Sequence, residues 1–398
     1  MSQRSLRLLV PVALACLVAT LTGGPVRAAS EPVVVVPAGS GLVLTGHGYG
    51  HGRGMSQYGA EGAARKGLSA AQILAFYYPG TVLGASAGQI RVRITADTDD
   101  DTVVAHRPGL VVRTVGKPAQ RWDLGRLRSG AASWRIKPLR NGRYAVSARA
   151  AGARWARVLV SGRPLAFWAG GAPITLQYAG GSAAYRGQLR NAGRDTVNVL
   201  SLENYLRGVV PREVPSGWSP ATLQAQAVAA RTYAAYERDH TPRGRAWQTC
   251  DTTSCQVYGG YAAERPSTNA AVDATRGQVV THGGRAAFTQ FSSSNGGWTV
   301  QGGLPYQRAQ ADPYDPWPGN PMRSWTTRVS ASRIAAAWPS IGTLTGVQVL
   351  GRDGNGEWGG RVLTLRLTGT AGRAVDVDGS TFRTKLGLRS QWFSVAAG

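Results

Sequence analysis

The stretch Leu202–Tyr233, LENYLRGVVPREVPSGWSPATLQAQAVAARTY, decides how this chain is read. It sets one carboxylate, Glu213, between Pro211 and Pro215 and just ahead of an alanine-rich run. Each proline fixes its own φ and biases the residue before it away from the α region. The spacing therefore predicts a short helix capped by Ser201 and ending before Pro211, then a rigid irregular turn that carries Glu213. Ser219-Pro220 predicts an N-cap and a first-turn proline, opening a second helix that reaches about Tyr236. Ala225, Ala227, Ala229, Ala230 and Ala234 let other backbone approach that helix closely. A carboxylate presented at such a junction suits an enzyme better than a solvated surface.

Two other blocks share this character. One is GHGYGHGRGMSQYGAEGAARKGLSAAQILAFYYPGT, Gly46–Thr81, and the other is AAFTQFSSSNGGWT, Ala286–Thr299. The three blocks together resemble the SpoIID/LytB family of bacterial cell-wall proteins, over roughly residues 40–81 and 184–396. The GHGxGMSQ block generally closes the domain in that family. Here it lies ahead of the other two blocks, like a circular permutation, which a fold with neighbouring termini tolerates. The resemblance implies a lytic transglycosylase acting on peptidoglycan glycan strands, in the better-known members on glycan stripped of stem peptides, in sporulation or wall remodelling. Glu213 matches the family's catalytic glutamate and His51 its histidine. Two other functions stay open: a non-catalytic modifier that stimulates a wall amidase, and a basic wall-anchoring protein.

Composition bounds these readings. The chain has 398 residues, enough for one large core or two smaller ones. Arg4 and Arg7 ahead of an apolar run, with Val26-Arg27-Ala28 at its exit, read as a secretory signal peptide over 1–28. A retained membrane anchor is the alternative, although the apolar run is short for a span. Export places the protein outside the cell or on its wall. The formal charge of +24 falls by three if Arg4, Arg7 and Arg27 leave with the leader. Such basicity favours anionic cell-wall polymers as partners beside the glycan, and another wall hydrolase is a further partner to expect. Nucleic acid is not expected, because export removes it and no compact basic run interleaved with aromatics stands out.

Cys16 belongs to the leader. Cys250 and Cys255 remain, an even count that favours a local disulfide in an oxidising compartment. Some relatives hold zinc near this place. A tetrahedral site needs four ligands, and only two present themselves here, so no cofactor is expected and zinc is the alternative.

The fold class expected is α+β, with antiparallel strands and few helices. After the leader, 29–88 holds PVVVVP and GLVLTG as strands and a glycine-rich loop from His47 to Gly54. A helix over Met55–Lys66 follows, and Ser69 to Gln72 form a capping box opening another. Residues 89–183 read as a β-rich accessory module of short alternating runs. Residues 184–398 form the main part of the family-like domain. Asp353-Gly354-Asn355-Gly356 reads as a hairpin turn rather than a calcium loop.

Cleaving a glycosidic bond needs a proton donor on the leaving oxygen, and hydrolases usually add a second carboxylate. A transglycosylase manages with one, which protonates the bridge and then takes the proton from the sugar's own tethered 6-hydroxyl. Glu213 fits that role if burial raises its pKa, with Val210, Val214 and Trp218 as apolar wall. Arg212 and the following helix N-terminus would act the other way. The substrate-binding candidates are His51, Ser56 and Gln57 from the first block, Tyr205, Gln224 and Arg231 beside Glu213, and Ser293, Ser294 and Asn295 from the third. Arg231 has an alternative, pairing with Glu213 or a backbone carbonyl. For the serine-rich segment the alternative is a polar strand end.

Overall fold

A computed structural model describes residues 30–398, so the expected leader over 1–28, with Cys16, lies outside the described residues. The architecture is α+β. Its helices are α1 (Gln57–Arg65), α2 (Ala70–Tyr77), α3 (Leu124–Leu127), α4 (Leu202–Glu213), α5 (Pro220–His240), α6 (Pro266–Ala274), α7 (Ala331–Ala337) and α8 (Gly379–Leu386). They sit among sheets whose pairings are antiparallel except at two short contacts. Among the described residues no helix is long and apolar enough to cross a membrane.

The alanine-rich run becomes α5, and its small side chains explain its place. One side, with Ala227, Ala230 and Ala234, joins a core built on the two largest sheets. The other side, with Ala225, Val228 and Ala229, packs against Met55, Ala60, Ile73 and Tyr78 of the first block. A helix buried on both sides is central to its fold. The strands of 89–183 join this arrangement directly. Gln89–Ile94 pairs antiparallel with Asp195–Ser201, and Thr249–Cys250 adds parallel to its other edge. A separate core gathers Leu44, Ile334, Leu365 and Phe382 between the strands and helices of the C-terminal region and Gly41–Gly46. Asp353–Gly356 lies in the connection between the antiparallel strands Leu344–Arg352 and Val362–Gly369, as the turn reading requires.

Two local expectations are corrected. The first helix does not end before Pro211; α4 runs through it, and Glu213 is its last residue rather than part of an irregular turn. A proline in a final turn forfeits only one backbone donor, while Leu206, Val209 and Val210 are fully buried on this helix. Extended Val214 ahead of Pro215 then stops it. The second correction concerns Ser219, whose side chain makes no cap bond to α5. It donates instead to Glu61, and α5 continues to His240, past Tyr236. The capping box at Ser69 and Gln72 is present.

Glu61 of α1 supplies the missing cap. Its carboxylate is 1% exposed and accepts from Ser219 N at 2.9 Å, Ser219 Oγ at 3.1 Å and Thr222 Oγ1 at 2.8 Å, and Arg65 pairs with it at 2.9 Å. An anion at a helix N-terminus meets both the unpaired N–H groups and the positive end of the dipole. This contact ties the first block to the Glu213 stretch. Glu61→Leu, which strands those donors, is expected to destabilise the protein by about 3 kcal/mol in urea unfolding. A change below about 0.5 kcal/mol, the range of an ordinary surface substitution, would contradict it.

Candidate active site

Glu213 opens onto a cleft of about 330 Å³. The cleft is also lined by His51 of the glycine-rich loop, Tyr233 of α5, Thr253 to Val257 of the cysteine loop, and Gln290 and Phe291. Residues from all three sequence blocks therefore meet in one place, and Glu213 is the only carboxylate among them.

The meeting depends on backbone pairing. Met55-Ser56 runs parallel to Phe291-Ser292, Tyr49 bridges Ser294, and Met55 N donates to Gln290 O at 3.1 Å. Gly54 makes this possible: its φ is +63°, and a Cβ there would stand 2.0 Å from Gln290 O. No side chain fits such an approach. The cysteine loop is fixed from the other side. Cys250 and Cys255 are joined by a disulfide with Cα atoms 5.4 Å apart, so their sulfurs are spent on each other. Thr249–Cys250 is held by the strand Gln89–Ile94, and Tyr258 N closes the turn onto Asp251 O at 3.2 Å. This presents Val257 N to Glu213 Oε1 at 3.1 Å.

Burial pushes the Glu213 carboxyl above the ordinary carboxylate range, against the opposing pull of the Val257 N–H and a hydrogen bond from Gln57. Its position at the C-terminal end of α4 works in the same upward direction. Arg212, expected to lower it, is exposed and lies over Gly259. His51 is pushed down to about 4, chiefly by burial and then by Arg53, Arg383 and Arg361, so it is neutral at pH 7. Its Nδ1 accepts from Arg53 N at 3.0 Å, which puts the ring proton on Nε2. Tyr233 is pushed up to about 12 by burial first and the nearby Glu237 second, and remains a phenol.

Several expected substrate contacts turn inward instead. Arg231 is 0% exposed, forks onto Glu203 at 3.1 and 2.7 Å, and donates to Val272 O and Gln278 O. Its guanidinium is committed to joining α4, α5 and α6, and no donor is left for a ligand. Ser56 caps α1 and bonds Asp315. Ser294 and Asn295 donate to Asp315 and Asp312 at 2.8 and 2.7 Å, in a buried network. The Ser293 carbonyl takes Tyr58 N at 2.9 Å, and the residue does not line the cleft. These groups hold the strand end; a polar strand has to satisfy its buried hydroxyls and amides internally. Tyr205 lies beneath the cleft and donates to Gln256 Oε1 at 3.2 Å, so it positions a lining residue rather than lining it. Gln224 is half-buried on α5, away from the cleft. Of the named binding candidates, His51 is at the cleft wall and Gln57 reaches Glu213.

Gln290, Gln256 and the Val257 N–H were not singled out by sequence. Gln290 lies inside the third block, beside serines and an asparagine whose side chains carry the more obvious binding chemistry. The 256–257 donors follow the second cysteine, and only the closed loop shows where they point.

Known proteins resemble the chain over the segment that carries Glu213. The family model described as SpoIID, stage II sporulation protein, matches residues 190–282, which contain Glu213, the cysteine loop and α4 to α6. The chain is 38% identical over 135 residues to the amidase enhancer of Bacillus subtilis (strain 168), covering 32% of this chain and 17% of that protein. It is 27% identical over 218 residues to stage II sporulation protein D of Bacillus amyloliquefaciens, covering 50% of this chain and 61% of that one. The B. subtilis (strain 168) protein of the same name is 26% identical over 227 residues, covering 51% and 62%. The chain thus spans less than two thirds of the length of each of these curated relatives. Over the segment that holds Glu213 the chain is similar to the SpoIID family. His51, Gln57 and Gln290 reach the cleft from outside the segment that the family model matches.

Proposed function

We propose that this protein cleaves the glycan strands of peptidoglycan as a lytic transglycosylase, with Glu213 as its one acid and base. The observation that carries this reading is a single carboxylate, raised by burial, in an open cleft with no second carboxylate on its walls. A hydrolase of the usual kind needs two. The Glu213 carboxyl gives its proton to the bridging oxygen as the C1–O bond breaks, and the carboxylate then takes the proton of the 6-hydroxyl as O6 bonds to C1. No water enters, and the product carries an anhydro ring. Val257 N–H and Gln57 hold the carboxylate in its ionised half-cycle, and neutral His51, held by Arg53 N and the Phe291 backbone, shapes the cleft wall. Such a substrate lies in the envelope, which agrees with the proposed export.

The reading fixes a pH dependence. The acid must be protonated, so cleavage falls as pH rises through the raised pKa. Gln57→Leu removes a bond that favours the ionised form, so the pKa rises further and the alkaline limb of the rate profile moves to higher pH. An alkaline limb that stays put or moves down would contradict the assignment.

A second reading rests on the similarity to a protein named amidase enhancer. It makes this chain a glycan-binding partner of a wall amidase. Incubating the purified protein alone with peptide-free glycan separates the two: soluble saccharides are expected from the enzyme. Binding without release, with faster turnover only when an amidase is added, would replace the first reading by the second.

A further inference from the structure

The outward face of the seven-stranded sheet carries arginines in one cross-strand line. Register pairs Arg93 with Val197, Val197 with Arg190, Arg190 with Ala166, Ala166 with Arg113, and Arg113 with Arg121. Four of six positions in that line are arginine. Beside it lies a groove of about 460 Å³, lined among others by Arg91, Arg113, Lys117, Arg190, Gln188 and Gln248, with no carboxylate on its walls. It shares no lining residue with the Glu213 cleft.

The cations at the ends and centre of this line differ. Arg93 is neutralised by Asp195 at 2.7 Å. Arg91 spends its guanidinium on the carbonyls of Ala246 and Arg245. Arg113 and Arg190 make no salt bridge among the described residues, and the buried Nε of Arg190 has no hydrogen-bond partner. The charge of each is disfavoured, first by burial and then by a neighbouring arginine: Arg121 for Arg113, and Arg91 for Arg190. Like charges gathered without a counter-ion are costly unless an anion joins them. Arg190 and Arg113 flank Ala166 of the intervening strand and stand roughly 10 Å apart, two strand spacings.

We propose that this groove binds a linear phosphodiester polyanion whose repeat also carries hydroxyls, a polyol- or sugar-phosphate chain. Guanidinium forks suit phosphate oxygens in pairs, and the amides of Gln188 and Gln248 suit the hydroxyls between them. Nucleic acid fits less well. Its single strands bind by stacking bases on aromatic rings, and the nearby rings are already covered. Trp168 carries Arg113 and Arg121, and Trp247 carries Arg245 and Arg93. The proposal stands apart from the function assigned to Glu213.

Fluorescence anisotropy of a labelled glycerol-phosphate oligomer with the full chain tests it. R113Q/R190Q is expected to weaken binding about tenfold or more, the loss of two charged hydrogen-bonding groups. R140Q/R143Q, which removes the same charge from an exposed turn outside the groove, is expected to change it by less than about twofold. Lys117→Glu reverses an exposed charge at the groove rim, where folding is not at stake, and is expected to weaken binding as well. Equal losses in the two double variants, or no loss in Lys117→Glu, would overturn the proposal. So would equally tight, equally variant-sensitive binding of a single-stranded DNA or a polyglutamate of the same charge.

Discussion

Glu213→Gln is expected to lower cleavage of peptide-free glycan by about a thousandfold, within the range by which a positioned acid accelerates such steps. The substitution is nearly isosteric. Its amide oxygen can still accept from Val257 N, where the carboxylate now accepts at 3.1 Å. What it loses is the proton that must reach the bridging oxygen. Stability should hold, and the sign of its pH dependence follows from the raised pKa. A carboxyl whose folded pKa lies above its unfolded value contributes most below the unfolded value, and that contribution is lost as pH rises through the folded one. The glutamine variant has no such loss, so it should gain on the parent protein in thermal melts as pH increases. Retained cleavage in a folded Glu213→Gln protein would remove this residue from the mechanism.

Arg231→Met is expected to cost about 3–5 kcal/mol of stability, because it leaves Glu203 buried without its partner. The pair is held at 3.1 and 2.7 Å, and Glu203 Oε1 also takes Gly277 N at 3.0 Å. Replacing both members by apolar side chains is usually far milder than removing one. The double variant Arg231→Met/Glu203→Met should therefore recover much of the loss, as urea midpoints would show. A structural Arg231 also predicts that the folded double variant keeps the parent KM for glycan. A KM raised tenfold with stability restored would return this arginine to the substrate.

The parts of the fold legible in the sequence are those set by local chemistry. Ser69 and Gln72 cap a helix because their side chains reach the first-turn N–H groups directly. The turn at Asp353-Gly354-Asn355-Gly356 falls between antiparallel strands because its two glycines accept positive φ. Glu213 was legible as a fixed carboxylate, although the fixing element is a helix end and not a turn, since tertiary burial of Val209 and Val210 carried α4 past Pro211. Polar residues were the hard part. Ser56, Ser294, Asn295 and Arg231 have the chemistry of a binding site, yet they satisfy Asp315, Asp312 and Glu203 inside the protein. Whether a polar group faces a ligand or a buried carboxylate depends on partners more than 15 residues away, which spacing does not encode. The Val257 N–H carries no sequence signal at all, because every residue but proline has one.

In the proposed reaction one half-buried carboxyl, that of Glu213, passes a proton out and back without admitting water. Mass spectrometry of the saccharides that the protein releases from peptide-free glycan tests it most directly. Fragments one water lighter than hydrolysis products are expected, and none with Glu213→Gln. Fragments at the hydrolysis mass, or none released by a folded protein that still binds the glycan, would contradict it.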